Sequence, residues 1–148
     1  MKNKDMDKMR EIKFRGQLFS GKWVYGYYAV LLLDGHDTDF IYNGTWNEVK
    51  HGTVGQYIDL HDKNSVEIYE GDIVRILYTD WCSQSFASTE KKLLTHEEYL
   101  KSISDIGKVI YETNQFTLDI GSIFAGTHGF IEVIGNIYEN PELLERNK

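Results

Sequence analysis

The chain of 148 residues contains one cysteine, Cys82, and one proline, Pro141. A lone thiol excludes an intrachain disulfide and fits a reducing compartment. With 13 glycines against that single proline, turns have to be made by Gly, Asn and Asp, which tolerate positive φ. No apolar run approaches the roughly 18 residues that a membrane helix needs. No contiguous hydrophobic core follows the first basic residues, as a secretion signal requires. A cytoplasmic location without membrane contact is therefore expected. Positive charge is also scarce: 16 Lys and Arg stand against 23 Asp and Glu, a formal charge of −7. An acidic chain gains no general attraction to phosphate backbones, so nucleic-acid binding starts disfavoured.

Aromatic residues are plentiful, with 10 Tyr, 7 Phe and 3 Trp. Tyr in excess of Phe suits half-buried sheets, where a ring packs inward and its hydroxyl reaches water. A chain of this length can bury roughly two-thirds of its unfolded surface, so neither a metal nor a disulfide is needed as a staple. The basic residues gather slightly near the start, at Lys2, Lys4, Lys8, Arg10, Lys13, Arg15 and Lys22, but Asp5, Asp7 and Glu11 interrupt them. Residues 1–9 are expected to form a flexible terminus and 10–148 a single domain.

Short β-type runs separated by Gly turns make up most of the chain. Ile12 and Phe14 alternate with Lys13 and Arg15 before Gly16. Trp23 to Leu33 is a long β-rich run in which Gly26 predicts a bulge or a close backbone approach. Asp34-Gly35 predicts a hairpin, with His36 and Asp37 lengthening its loop before Phe40-Ile41-Tyr42. Asn43-Gly44 is a second turn. The most informative stretch runs from Thr53-Val54-Gly55-Gln56-Tyr57, through a polar turn at His61 to Ser65, to Glu70-Gly71-Asp72-Ile73-Val74-Arg75-Ile76. Gly71 and Asp72 are predicted to build a sharp structural corner that launches a strand from Ile73 to Tyr78.

Thr95 and Glu98 are spaced as a capping box, predicting a short helix through Ile103 that ends at Ser104-Asp105. Gly107 to Tyr111 and Phe116 to Ile120 read as the clearest hairpin of the chain. Phe130 to Ile134 is a further strand, closed by a turn at Gly135-Asn136. Asn140 as N-cap and Pro141 at the first helical position predict a terminal helix over 140–147. The pattern is mainly β, favouring a small, partly open barrel with additional strands and two short helices.

The chain resembles the YopX family, small proteins encoded by phages and prophages. The resemblance is carried in order by Ile12-Lys13-Phe14-Arg15-Gly16, Gly21-Lys22-Trp23-Val24-Tyr25-Gly26, Thr53-Val54-Gly55-Gln56-Tyr57, Asp62-Lys63-Asn64, Glu67-Ile68-Tyr69-Glu70-Gly71-Asp72-Ile73-Val74 and Ile134-Gly135-Asn136-Ile137-Tyr138-Glu139-Asn140-Pro141-Glu142-Leu143-Leu144. It implies a mostly β protein with an SH3-like barrel portion, and it implies no catalytic residues. Two departures stand out. Ser65 occupies the place where the family usually has Gly, which weakens a type I′ turn and predicts a different one. The segment from about Thr79 to Asp105 is longer than the family's usual link.

Each candidate for chemistry has a competing structural explanation. His36, Asp37 and Asp39 are ligand-type residues within one hairpin, but no distant partner completes a metal set. Glu67, Glu70 and Asp72 can hold Mg²⁺ or do acid–base work only if enclosed, and a Gly flanked by carboxylates is what a turn needs anyway. Cys82, with His96 or His128, lacks any spacing that argues for a nucleophile and base. Gly121, Gly126 and Gly129 do not form a phosphate-binding fingerprint.

The aromatics are harder to assign to a core. Trp23, Tyr25, Tyr27 and Tyr28 occupy both faces of one run, and Trp46, Tyr57 and Tyr69 add to them. Trp23, Tyr25, Trp46, Tyr57 and Tyr69 are therefore the expected docking residues. The expected function is a non-enzymatic β-barrel module, without cofactor, that binds a protein partner or a copy of itself. The alternative is a single-stranded nucleic-acid module using Trp23, Tyr25 and Lys22 beside Lys13 and Arg15. A second alternative is a small metal-dependent hydrolase built on Glu70 and Asp72.

Overall fold

A computed structural model describes residues 11–77, 104–112, 115–119 and 131–145. The chain divides into two compact units, Met1–Asp59 and Leu60–Lys148. Among the described residues strand dominates, in two antiparallel sheets with one short helix.

The first unit holds β1 (Phe14–Gln17), β2 (Trp23–Leu33), β3 (His36–Tyr42), β4 (Trp46–Glu48) and the start of β5 (Gly55–His61), which runs past the unit's end. Their order is β4-β3-β2-β1-β5, with every neighbouring pair antiparallel. Asp34 and Gly35 both take positive φ, 49° and 80°, and form a two-residue hairpin turn. His36 and Asp37 do not lengthen that loop. They pair with Leu33 and Leu32, because two consecutive left-handed residues already match the twist of the strands.

Gly26 makes the close approach expected of it: a Cβ there would lie 2.2 Å from the Tyr42 carbonyl oxygen. Thr53 serves as a clasp. Its hydroxyl accepts the Gln17 N–H at 3.1 Å and donates to the Lys50 carbonyl at 2.7 Å. Ile41, Val49, Tyr57 and Ile58 are buried.

The second unit holds β6 (Glu67–Tyr69), β7 (Asp72–Leu77), β8 (Ser104–Glu112), β9 (Gln115–Leu118), β10 (Ile131–Asn136) and α1 (Glu142–Glu145). Its sheet has the order β10-β7-β8-β9. The predicted hairpin is present, pairing Val109 with Leu118 and Tyr111 with Phe116. Ile68, Tyr69, Ile73, Val74, Ile76, Val109, Leu118 and Ile131 are buried.

The turn at Asp62 differs from the type I′ hairpin of the family pattern. The Asp62 carbonyl accepts the Ser65 N–H at 3.0 Å, and the Asp62 N–H donates to the Val66 carbonyl at 2.8 Å. Ser65 then takes φ 64°. This is a three-residue loop whose last member is left-handed, a position Gly fills at least cost.

Three sequence expectations are corrected here. Ser104 and Asp105 begin β8 and do not end a helix, since both pair with β7. Gly135 and Asn136 belong to β10, where the register slips between Val133 and Gly135, and the chain turns only at 137–139. The Asn136 side chain makes that later turn possible: its Oδ1 accepts the N–H groups of Tyr138 and Glu139, each at 3.0 Å. Asn140 is not an N-cap through its side chain, because its Oδ1 accepts from Asn136 N at 3.4 Å instead. The flexible 1–9 terminus, the helix predicted from Thr95 to Ile103, Cys82, His96, His128 and Gly121, Gly126 and Gly129 lie outside the described residues.

Gly71 takes φ 86°, and a Cβ there would approach the Tyr138 ring to 3.2 Å. Its N–H donates to the Val109 carbonyl and its own carbonyl accepts the Ile137 N–H, both at 2.9 Å. Gly71→Ala is therefore expected to destabilise by about 1–2 kcal/mol. Gly35→Ala, at φ 80° with open space around it, should show the backbone part of that penalty alone. Equal urea midpoints for the two variants would mean that Tyr138 imposes nothing on the Gly71 corner.

Candidate functional site

In an antiparallel pair, directly opposed residues share a face. Tyr27 of β2 opposes Tyr42 of β3, which in turn opposes Trp46 of β4. This places three aromatic side chains in a row across three neighbouring strands. All are open to solvent: Tyr27 is 69%, Tyr42 39% and Trp46 56% exposed. Tyr42 and Trp46 are in ring contact at 4.9 Å, and Phe40 meets Trp46 edge-on at 6.1 Å. The row is thus braced from within and remains available to a partner.

The β2–β3 ribbon continues past this row. β1 pairs with β2 only as far as Gly26, and β4 pairs with β3 only from Phe40 to Tyr42. Beyond those limits the ribbon is two-stranded among the described residues, although Asp39 within it is still buried. Val30, Leu31, Leu32 and Leu33 are all exposed, Leu32 at 71%. Water-facing leucines on both sides of one ribbon form the kind of apolar patch that marks an interaction surface.

The expected docking residues separate into three groups. Tyr25 and Trp46 are exposed, as docking requires. Trp23 is half-buried, with the Arg15 guanidinium 4.7 Å from its ring centre. Tyr57 and Tyr69 are corrected: at 2% and 1% exposure their rings belong to the core. Tyr57 also has the Lys13 ammonium 5.2 Å from its ring centre, and the Tyr69 hydroxyl donates to Glu67 Oε2 at 2.7 Å. The reading of sequence missed Tyr42 and the three leucines. A continuous apolar run before a hairpin looks buried, and only strand lengths reveal that β2 outreaches its neighbour.

Two of the candidate carboxylates are engaged. Asp72 is buried, and its Oδ2 accepts the Tyr69 N–H at 2.8 Å, which fits the structural turn expected of Gly71 and Asp72. Asp39 is buried on β3 between two partners: the Tyr28 hydroxyl donates to its Oδ1 at 2.7 Å, and His51 Nδ1 lies 2.8 Å from its Oδ2. His36, by contrast, is exposed at the start of the strand. Among the described residues no three His, Cys, Asp or Glu side chains converge as metal ligands do. No helix among them is long and apolar enough to cross a membrane.

The Tyr28 hydroxyl is pushed up from 10.0 to about 12, first by burial, then by its bond to Asp39 and by the charges of Asp39 and Asp37. A folded value above the unfolded one gives a contribution to stability that is complete below pH 10.0 and lost as pH rises towards about 12. Tyr28→Phe is therefore expected to flatten the alkaline fall in stability across that window. It should also remove a component near pH 12 from a phenolate absorbance titration. An unchanged alkaline limb would mean that the hydroxyl–carboxylate bond does not persist in solution.

Residues 13–145 match the YopX protein family. A solved structure of protein EF1440 from Enterococcus faecalis is similar to this chain at 20% sequence identity and a TM-score of 0.47, covering 90% of this chain and 98% of its own. A comparison with curated proteins found no match.

Proposed function

Given that the chain belongs to the YopX family, we propose that it is a non-enzymatic β module that docks a protein through the outer face of the β2–β3 ribbon. The observation that carries this reading is the exposed row Tyr27, Tyr42 and Trp46, with the exposed Leu31 and Leu33 on the same face of β2. Large rings held on a sheet lose little rotamer freedom on binding, and their burial supplies most of the driving force. The five successive antiparallel strands support the SH3-like, partly open barrel portion that the resemblance implies. Kinship and the single cysteine support a phage- or prophage-derived protein working in the host cytoplasm.

The nucleic-acid alternative draws on Lys22, which is exposed beside Trp23. It loses Arg15, whose guanidinium is buried against Trp23, and Lys13 is half-buried with Glu11 at 3.5 Å. The hydrolase alternative loses Asp72 to the corner at Gly71. Full-length protein should retain a protein from nuclease-treated host lysate in a salt-tolerant way, because apolar burial is scarcely screened. The Tyr27→Ser, Trp46→Ser double variant should not. Retention of nothing by the native protein, together with tight single-strand binding that survives physiological salt and fails in Trp23→Ala and Lys22→Glu, would replace this reading with nucleic-acid binding.

A further inference from the structure

The turn between β3 and β4 sets two groups side by side that can react with each other. Asn43 and Gly44 lie between Tyr42 and Trp46, outside both strands, and both are exposed. Gly44 takes φ 103°, and nothing lies within 4 Å of where its Cβ would be. Its backbone N–H donates to no group among the described residues, whereas the Asn43 N–H donates to the Thr45 carbonyl at 3.2 Å. A backbone nitrogen without a hydrogen bond, on a residue without a side chain to hinder approach, is open to act as a nucleophile.

The Asn43 carboxamide is the matching electrophile. Its Oδ1 accepts from Asn47 Nδ2 at 3.1 Å and, more loosely, from Thr45 Oγ1 at 3.4 Å. The network fixes which end of each amide is which. Asn47 Nδ2 also faces the carbonyls of Ile41 at 3.1 Å and Thr45 at 3.0 Å, which only an N–H group satisfies, so Asn43 has to present its oxygen there. Donors on that oxygen stabilise the oxyanion that forms when Cγ is attacked.

We infer that Asn43 is a site of spontaneous covalent modification, deamidating through a cyclic imide formed with Gly44. The Gly44 nitrogen bonds to Asn43 Cγ and gives up its proton. The Cγ–Nδ2 bond breaks, and ammonia leaves with that proton. Water then opens the imide. Addition at Cγ gives aspartate, and addition at the main-chain carbonyl of Asn43 gives isoaspartate. Water is the one co-reactant, and nothing is oxidised or reduced.

Asn64, Asn136 and Asn140 are not set up in this way. The Ser65 N–H donates to the Asp62 carbonyl at 3.0 Å, the Ile137 N–H donates to the Gly71 carbonyl at 2.9 Å, and Asn140 precedes Pro141, which has no N–H. Conversion of Asn43 adds a negative charge to the turn. Isoaspartate also adds a backbone carbon between Tyr42 and Trp46, whose rings are in contact at 4.9 Å. The inference does not depend on the docking reading, but the altered residue adjoins the surface that reading invokes.

The full chain, folded and held for days in heavy-oxygen water at mildly alkaline pH, tests this by peptide mapping in the mass spectrometer. Heavy oxygen should enter at Asn43, as separate aspartyl and isoaspartyl peptides, several-fold faster than at Asn64. The rate should rise with pH, because the attacking nitrogen has to lose its proton. Asn47→Ala removes the closer donor and should slow conversion several-fold; Thr45→Val removes the looser one and should slow it less. An Asn43 that takes up no label, or takes it up no faster than Asn64, overturns the inference. Equal or faster conversion in both variants overturns the role given to the two donors. A chain that converts at Asn43 but retains no host protein when fresh leaves this inference standing and removes the docking reading.

Discussion

Asp62→Ala is expected to lower stability by about 3 kcal/mol, because one buried carboxylate holds three backbone donors. Its Oδ1 accepts the N–H groups of Asn64 at 2.8 Å and Val66 at 2.9 Å, and its Oδ2 accepts Val133 N–H at 3.0 Å. The first two shape the turn before β6. The third ties that turn to β10, beside the bond from Lys63 N–H to the Ile131 carbonyl at 2.9 Å. Removing the carboxylate leaves three peptide groups to find water or go without, and each unmet buried donor costs about 1–3 kcal/mol. Asp62→Asn keeps the shape and one accepting oxygen, so about half the loss is expected.

The same site sets an acid limit. Burial pulls the Asp62 carboxyl upward, but the N–H groups of Val133, Val66 and Asn64 and the charge of Lys63 outweigh it and hold the value below 3.8. A depressed folded value gives stability that is complete above 3.8 and lost as pH falls through the folded value. Native protein should therefore show an acid limb that Asp62→Asn flattens. Identical urea midpoints for native protein and Asp62→Ala at neutral pH would mean that the turn and β10 are not joined through this side chain.

Residues with a local signature were the ones the sequence disclosed. Asp34-Gly35, Gly71 with Asp72, and the alternation of Phe116 and Leu118 were readable because each acts over a few neighbouring residues. Gly26 was readable in kind, but its neighbour was not: the Tyr42 carbonyl reaches it only after β2 and β3 have paired. The misjudged turn at Gly135-Asn136 has the same origin. A Gly-Asn pair signals a turn, but here the bulge absorbs Gly135 and the Asn136 side chain moves the turn one step on.

The candidate site was less legible than the fold, because exposure is a property of strand lengths and not of residue types. Tyr57 and Tyr69 look like Trp46 in the sequence, but two are in the core and one is in water. The family motifs have a physical reading that clarifies this. Thr53 clasps Gln17 and Lys50, Asp62 gathers three amides, Asp72 receives Tyr69, and Asn136 builds a turn. These motif side chains are committed to backbone latches. The exposed row at Tyr27, Tyr42 and Trp46 draws nothing from the motif polar groups, consistent with a common frame carrying a separate contact surface.

Gly26→Ala is expected to be the most damaging single methyl in the first unit, costing about 3 kcal/mol or more. The added Cβ would lie 2.2 Å from the Tyr42 carbonyl oxygen and 2.8 Å from its carbon, with Asn43 Cβ at 3.2 Å. Backbone atoms cannot swing aside as the end of a side chain can. Relief requires β2 and β3 to part at the Tyr27–Tyr42 pair, the first rung of the ribbon. Damage should therefore concentrate where the exposed aromatic row begins. Amide exchange along β2 and β3 should accelerate beyond Gly26, and the thermal midpoint should fall. Retention of a host protein should weaken, since the docking face needs the ribbon in register. Unchanged exchange in Tyr27 to Leu33 would show that the strands accommodate the methyl without separating, and that Gly26 is not what lets the ribbon form.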